Sequence, residues 1–160
     1  MKSFLIKHRF KIVISILVAI LIFVSFYMLW VHVPYANHEN ELTNIRQEII
    51  AENDYTYDDY FNAYNSKETY YILKVKVKKK TQYVVYNEKQ KFIKKYQGKI
   101  AKEATCIDAF KEKYKQEPTS IEIGYENDIF VYSLTYQGKD SLIYAFYGLD
   151  NGEFIKAYQL

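Results

Sequence analysis

Residues Ile12 to Val33 read IVISILVAILIFVSFYMLWVHV, without one Asp, Glu, Lys or Arg. As a helix rising about 1.5 Å per residue, this run reaches roughly 33 Å, enough to cross a hydrocarbon core of about 30 Å. A helix suits that solvent because it satisfies its own backbone hydrogen bonds. Ser15 and Ser25 can each bond back to a carbonyl one turn earlier, and His32 lies at the end, within reach of interfacial water. The expectation is a transmembrane anchor over 12–33. Ile12 and Val33 bound it, Leu21 lies near its middle and Trp30 near its far end.

The flanks predict a direction. Lys2, Lys7, Arg9 and Lys11 precede the span, and Glu39 and Glu41 follow it. Basic residues stay on the cytoplasmic side, which puts a basic stub (1–11) inside and residues 34–160 outside. Phe26, Tyr27, Trp30 and Tyr35 cluster at the far end, the expected place for rings at the outer headgroup level. A cleaved signal peptide is the competing reading. The apolar run is longer than the usual 7 to 15 or so residues, and Pro34 and Ala36 stand where two small residues are wanted. A buried helix of a soluble protein would need a larger body to enclose it.

The remaining residues suffice for one compact domain or two small ones sharing a core. Four of the 22 Lys and Arg lie in the stub, leaving 18 against 19 acids outside, which is not a nucleic-acid-binding balance. Tyr occurs 18 times, and Tyr and Val favour pleated surfaces, so the outer part should be rich in sheet. The single cysteine, Cys106, allows no intramolecular disulfide and no thiolate metal site. Beside Ile107 in a predicted helix, it reads as a small buried thiol rather than a nucleophile.

Along the chain, Tyr35 to Asn53 predicts a helix capped by Asn37, with Leu42, Ile45 and Ile49 on one face and a bend near Pro34. Strands follow at Tyr60–Tyr64, Glu68–Lys78, Tyr83–Tyr86 and Phe92–Gln97. In the second of these, Tyr71, Leu73, Val75 and Val77 share one face; Lys74, Lys76 and Lys78 take the other. Ala101 to Gln116 predicts an amphipathic helix with Ala104, Ile107, Phe110 and Tyr114 as its stripe and Pro118 marking its end. Four more strands follow: Ser120–Tyr125, Ile129–Tyr136, Leu142–Tyr147 and Phe154–Gln159, with turns at Gly138-Lys139-Asp140 and Asp150-Asn151-Gly152.

The six residues from Phe92 to Gln97 recur at Phe154 to Gln159 with one substitution, Lys95 against Ala157, 62 residues on. Tyr83–Tyr86 meets Ala145–Tyr147, and Tyr70–Val75 meets Tyr132–Tyr136 after a small gap. The chain therefore reads as α+β, a membrane helix followed by two copies of a helix plus a small antiparallel sheet, over 35–98 and 99–160. Each helix should pack across its own sheet, and the copies should share an interface.

That order resembles the TseB-like (YpmB) cell-wall elongation regulators, with the two units similar to PepSY or cystatin-like modules. The residues that carry the likeness are Tyr70-Tyr71-Ile72-Leu73, Tyr83-Val84-Val85-Tyr86, Ser133-Leu134-Thr135-Tyr136 and Asp150-Asn151-Gly152-Glu153-Phe154-Ile155. PepSY-like turns often read Asp-x-x-Thr-Gly before the last strand. The second copy keeps Asp150 and Gly152 in a shortened turn, and the first has Asn87-Glu88-Lys89-Gln90 without a glycine. The resemblance implies a non-catalytic membrane protein of low-GC Gram-positive bacteria, whose outer domain associates with a class B penicillin-binding protein and influences lateral wall synthesis. PepSY-type modules also occur in protease propeptides, so inhibition or chaperoning of a secreted peptidase is the alternative implied.

The chemistry sought outside the anchor is sparse. His8, His32 and His38 lie in or beside the anchor, so no histidine-based triad or zinc site is expected beyond Leu42. No glycine loop suits a phosphate, and no cofactor is expected. The acidic pairs Asp58-Asp59 and Glu126/Asp128 read as solvated turns, without the ligand count of a calcium loop. Lys74, Lys76, Lys78, Lys79 and Lys80 stand among Tyr70, Tyr71 and Tyr83. Outside the cell this basic face either meets anionic wall polymer or an acidic partner, or is a solvated face whose charge discourages edge pairing.

Overall fold

A computed structural model describes residues 2–160, with side chains from Phe10 onward. The side chains of Lys2, Lys7 and Arg9, on which the expected direction rests, lie outside the described residues, as does Met1. Helix α1 runs from Lys2 to Tyr27, so helix begins inside the expected basic stub. A five-residue π-helical segment, Met28–His32, leads into helix α2, Val33–Glu52. The π-helical segment ends just before Pro34, where the sequence reading expected a bend. Pro34 has no N–H, and in a regular α-helix its ring meets the carbonyl of Trp30; a wider turn makes room. The Val33 N–H donates to the Met28 carbonyl, five residues back.

Two compact units divide the chain, Met1–Asn44 and Ile45–Leu160. The second holds two antiparallel sheets. The first sheet is β1 (Thr56–Asn65), β2 (Thr69–Val77), β3 (Lys80–Asn87) and β4 (Phe92–Tyr96), in that order. Helix α3 (Glu103–Tyr114) follows, then β5 (Ser120–Glu126), β6 (Ile129–Gln137), β7 (Leu142–Gly148) and β8 (Phe154–Gln159), again in sequence order. The fold is thus α+β, with one long apolar N-terminal helix and two four-stranded antiparallel sheets.

Strand β1 begins four residues earlier than the pattern predicts. Tyr57 pairs with Val75 but Tyr60 with Lys74, so Asp58 and Asp59 are extra residues in a bulge. Two extra residues keep the alternation in step, but the interruption and its two acids hide the start of the strand from a search for apolar alternation. In β2 and β3, Tyr71, Leu73, Val75, Val84 and Tyr86 are buried on one face. The last turns of α2 serve that side: Ile45 and Ile49 are buried, Arg46 lies 5.1 Å over the Tyr57 ring, and Gln90 of the β3–β4 turn donates to Glu48. On the opposite face, Ile72, Tyr83 and Val85 join a core shared with the second sheet.

That core includes Ile123, Tyr125, Tyr132, Leu134, Ala145 and Tyr147, covered by α3 through Cys106 and Phe110. The stripe of α3 is centred one residue off the predicted one: Cys106 is fully buried, whereas Ala104 is exposed. The Tyr132 hydroxyl donates to the Ala101 carbonyl at the entry to the helix. Strand β5 is an edge strand, yet its outer backbone is not left bare. The Ile123 N–H donates to the Tyr60 hydroxyl (2.7 Å), and Asn62 donates to the Ile123 carbonyl (3.2 Å). Side chains of β1 thus take the place of a neighbouring strand and join the sheets.

The repeat has structural counterparts. Tyr86 opposes Phe92 and Tyr147 opposes Phe154, each beside a register shift, and both ring pairs meet edge to face with centroids 5.7 Å apart. The turns before β4 and β8 each hold one left-handed residue, Gln90 (φ 55°) and Gly152 (φ 73°).

Candidate functional site

The expected anchor residues Ile12, Leu21, Trp30 and Val33 all lie exposed on the N-terminal helix, and Phe26 stacks on Trp30 at 6.0 Å. Among the described residues, one helix is long and apolar enough to cross a membrane, and none of its apolar window is buried within the protein. This is consistent with membrane anchoring.

The lysine face divides in two. Lys74 and Lys76 fold back on Asp58 of the bulge, at 3.1 and 2.5 Å. Lys76 first, and Lys74 after it, hold the Asp58 carboxyl below its ordinary range, with burial opposing. Their face is not simply solvated, because it also carries Ile72 into the shared core. Lys78 and Lys79 form a two-residue hairpin turn with φ of 48° and 67°, and with Lys80 they stand exposed at its tip. Both positive φ values suit the twist of a tight hairpin. Only these three of the five lysines present unpaired ammonium groups together.

A polar cluster that the sequence did not flag lies on the face of the second sheet turned away from α3. Cross-strand register places Glu122, Ser133, Phe146 and Lys156 in one row over β5 to β8. Lys156 reaches across to Glu126 at 2.7 Å, which requires the sheet to curl so that this face is concave. Glu126 also accepts from the Tyr64 hydroxyl (3.0 Å) and the Ser66 hydroxyl (2.5 Å). Burial pushes the Glu126 carboxyl up, but donation from Lys156, Ser66 and Tyr64 outweighs it and leaves the carboxyl below its ordinary range. Tyr64 lies flat over Gly124, so close that a Cβ there would stand 2.6 Å from the ring. Burial, with the Glu126 charge, raises the Tyr64 phenol. The cleft here measures about 500 Å³. Its carboxylate is fully engaged, so the cluster locks the two sheets together and offers no free base.

A second cleft, of about 310 Å³, lies at the start of β8. Ile129, Phe130, Phe154 and Ile155 line it, with Tyr96 on one side. Lys94 reaches over to donate to the Asp128 carbonyl at 2.7 Å, and Asp150 and Glu153 also line the cleft. The acidic positions thus serve structure: Asp58 in the bulge, Glu126 in the lock, and Asp128 (φ 66°) in the β5–β6 turn. Cys106 is buried with its thiol pushed up to about 11 by burial and by Glu103. Among the described residues, no three His, Cys, Asp or Glu side chains gather as a metal site.

Sequence reasoning put Glu126 in a solvated turn because the predicted strand stopped at Tyr125; the structure buries it in the polar cluster instead. The usable signal was the repeat itself. Lys94 and Lys156 occupy equivalent places, and both reach back to the β5–β6 hairpin. The chain matches no protein-family model, no curated protein and no solved structure.

Proposed function

We propose that this chain is a non-catalytic, single-pass membrane protein whose C-terminal unit lies outside the cell membrane. There it regulates cell-wall elongation by binding a class B penicillin-binding protein. The observation that carries the reading is the N-terminal helix, whose apolar side chains are left entirely uncovered by the protein. Lipid is the solvent that removes them from water. The basic residues before the span and the acidic ones after it support an inward N-terminus. Like strand order, like register shifts and like ring pairs support two PepSY or cystatin-like modules made from one repeated plan. The partner itself comes from the resemblance to the TseB-like regulators. Anchoring beside a membrane-bound synthase would raise the effective concentration of the two proteins.

Crosslinking intact cells and purifying the full chain tests the reading. The expected catch is a transpeptidase of the elongation machinery. A secreted peptidase in its place, with activity that falls when the chain is added, would establish the inhibitor role and overturn this one. The hairpin tip makes a second, smaller prediction. Lys78→Glu, Lys79→Glu and Lys80→Glu together should abolish retention on anionic wall polymer, while retention unchanged would remove the tip from the account.

A further inference from the structure

The cleft beside Glu126 has one part that the lock does not use. Cross-strand register sets Ser120, Thr135, Tyr144 and Tyr158 side by side over β5 to β8. They stand on the same face as Glu122, Ser133, Phe146 and Lys156, one row on. Tyr144 and Tyr158 line the cleft together with Phe146, Glu122 and Asn127. Tyr158 is 54% exposed, yet its ring is held. It meets Phe146 edge to face at 6.0 Å, and Lys156 stands 5.1 Å from its centre and donates to its hydroxyl at 3.3 Å. An exposed ring fixed before a ligand arrives loses less freedom on binding. Glu122 accepts from Asn62 through Oε2 at 2.8 Å, and its Oε1 has no donor among the described residues.

Charge narrows what can sit here. The carboxylates of Glu122 and Glu126 and the ammonium groups of Lys67 and Lys156, all lining the cleft, balance, which favours neither an anion nor a cation. An uncharged ligand suits it, with an apolar face for the rings and hydroxyls for Glu122 and the phenols. A pyranose is built that way. Its C–H hydrogens meet the negative face of an aromatic ring, and its rim of hydroxyls donates and accepts. A carboxylate beside the ring takes charge-assisted bonds from such hydroxyls. We propose that the tyrosine row and Glu122 form a saccharide-binding site. A sugar ring packs on Tyr158 and Tyr144, and its hydroxyls donate to Glu122. The volume of about 500 Å³ falls within the range of small-ligand sites. Such a site needs no protein partner and so stands apart from the proposed function.

Saturation-transfer NMR and isothermal titration on the full chain test the site, in a zwitterionic detergent because sugar-headed ones would compete. The probes are the tetramer of β-1,4-linked N-acetylglucosamine, cellotetraose and maltotetraose. At least one should bind with a Kd of about 1 mM or tighter. Tyr158→Ala should weaken it about tenfold, and Tyr158→Phe, which keeps the ring, by about twofold at most. Glu122→Gln keeps the shape, loses the charge and should weaken it about fivefold, an arm that remains if Tyr158→Ala fails to fold. The triple lysine-to-glutamate variant of the hairpin tip should bind as the native chain does. Failure of every probe to bind overturns the site. So does binding indifferent to both Tyr158→Ala and Glu122→Gln, or weakened as much by Tyr158→Phe as by Tyr158→Ala. Loss of binding in the tip variant assigns the sugar to the hairpin and overturns the site as well.

Discussion

The two sheets share strand order, a register shift before the last strand and a matching ring pair, yet they carry different burial. The first has apolar side chains buried on both faces: Leu73, Val75 and Val84 on one, Ile72 and Val85 on the other. The second has an apolar face under α3 and a concave face where Ser133 occupies the place of Ile72 and Lys156 that of Lys94. The same strand order thus serves as an inner layer in one sheet and as an outer layer with a polar lock in the other. A repeat in sequence fixes where strands begin and turn. What each face meets is settled by the contact between the copies, through Tyr60, Asn62 and Tyr64.

The largest effects should come from the buried face of each sheet that its helix serves. Leu73 and Leu134 hold equivalent positions and are both fully buried. Leu73→Ala and Leu134→Ala should each cost about 3 kcal/mol, within the range for a truncated core leucine. If the sheets form one cooperative body, both variants lower the midpoint of a single urea transition of the full chain in detergent. Two transitions, each sensitive to one variant only, would break the comparison.

The repeated lysines give a smaller contrast. Lys156→Met leaves a mostly buried carboxylate without its cation and should cost about 1–2 kcal/mol. Lys94→Met loses an exposed bond to a carbonyl and should cost about 0.5 kcal/mol or less. Acid adds a signature. The folded Glu126 carboxyl lies below its reference value of 4.5, so its contribution is fully present above that pH and is lost as pH falls through the lowered value. In Lys156→Met burial loses its main opponent, the folded carboxyl rises towards or past its unfolded value, and the acid limb of the stability profile should shrink or reverse. A limb that stayed in place would show that Ser66 and Tyr64 hold the charge without the lysine.

Much of this fold is legible in the sequence because each signal is local. The apolar run from Ile12, the alternation in β2, Pro118 after α3 and Asp150-Asn151-Gly152 before β8 each need only a few neighbouring residues. The less legible features depend on residues far apart in the chain. The bulge at Asp58 is explained by Lys74 and Lys76, and the burial of Glu126 by Lys156, thirty residues away in sequence. Lys74 and Lys76 read as a solvated face because the pattern does not reveal that Ile72, between Tyr71 and Leu73, points into a second sheet.

The turns before β4 and β8 carry the finest contrast. Gly152 has φ 73°, and a Cβ there would come within 3.2 Å of the Ala101 Cβ and 3.5 Å of the Cys106 sulfur. Gly152→Ala should therefore cost about 1–2 kcal/mol from left-handed strain alone. Gln90 holds the matching left-handed place with φ 55°, where glycine would relieve about 1 kcal/mol of strain and return about half of that through the freer unfolded chain. Gln90→Gly should thus gain a few tenths of a kcal/mol, unless the side chain has its own task. It donates to Glu48 at 3.0 Å, which ties the turn to α2, and glycine removes that tie. Gln90→Asn separates the two effects, since asparagine tolerates the left-handed region but is too short to reach Glu48. If Gln90→Asn and Gln90→Gly both destabilise, the bond to α2 explains why the first turn has no glycine. If both stabilise, the glutamine is simply strained, and the turns differ only in how well each residue fits its φ.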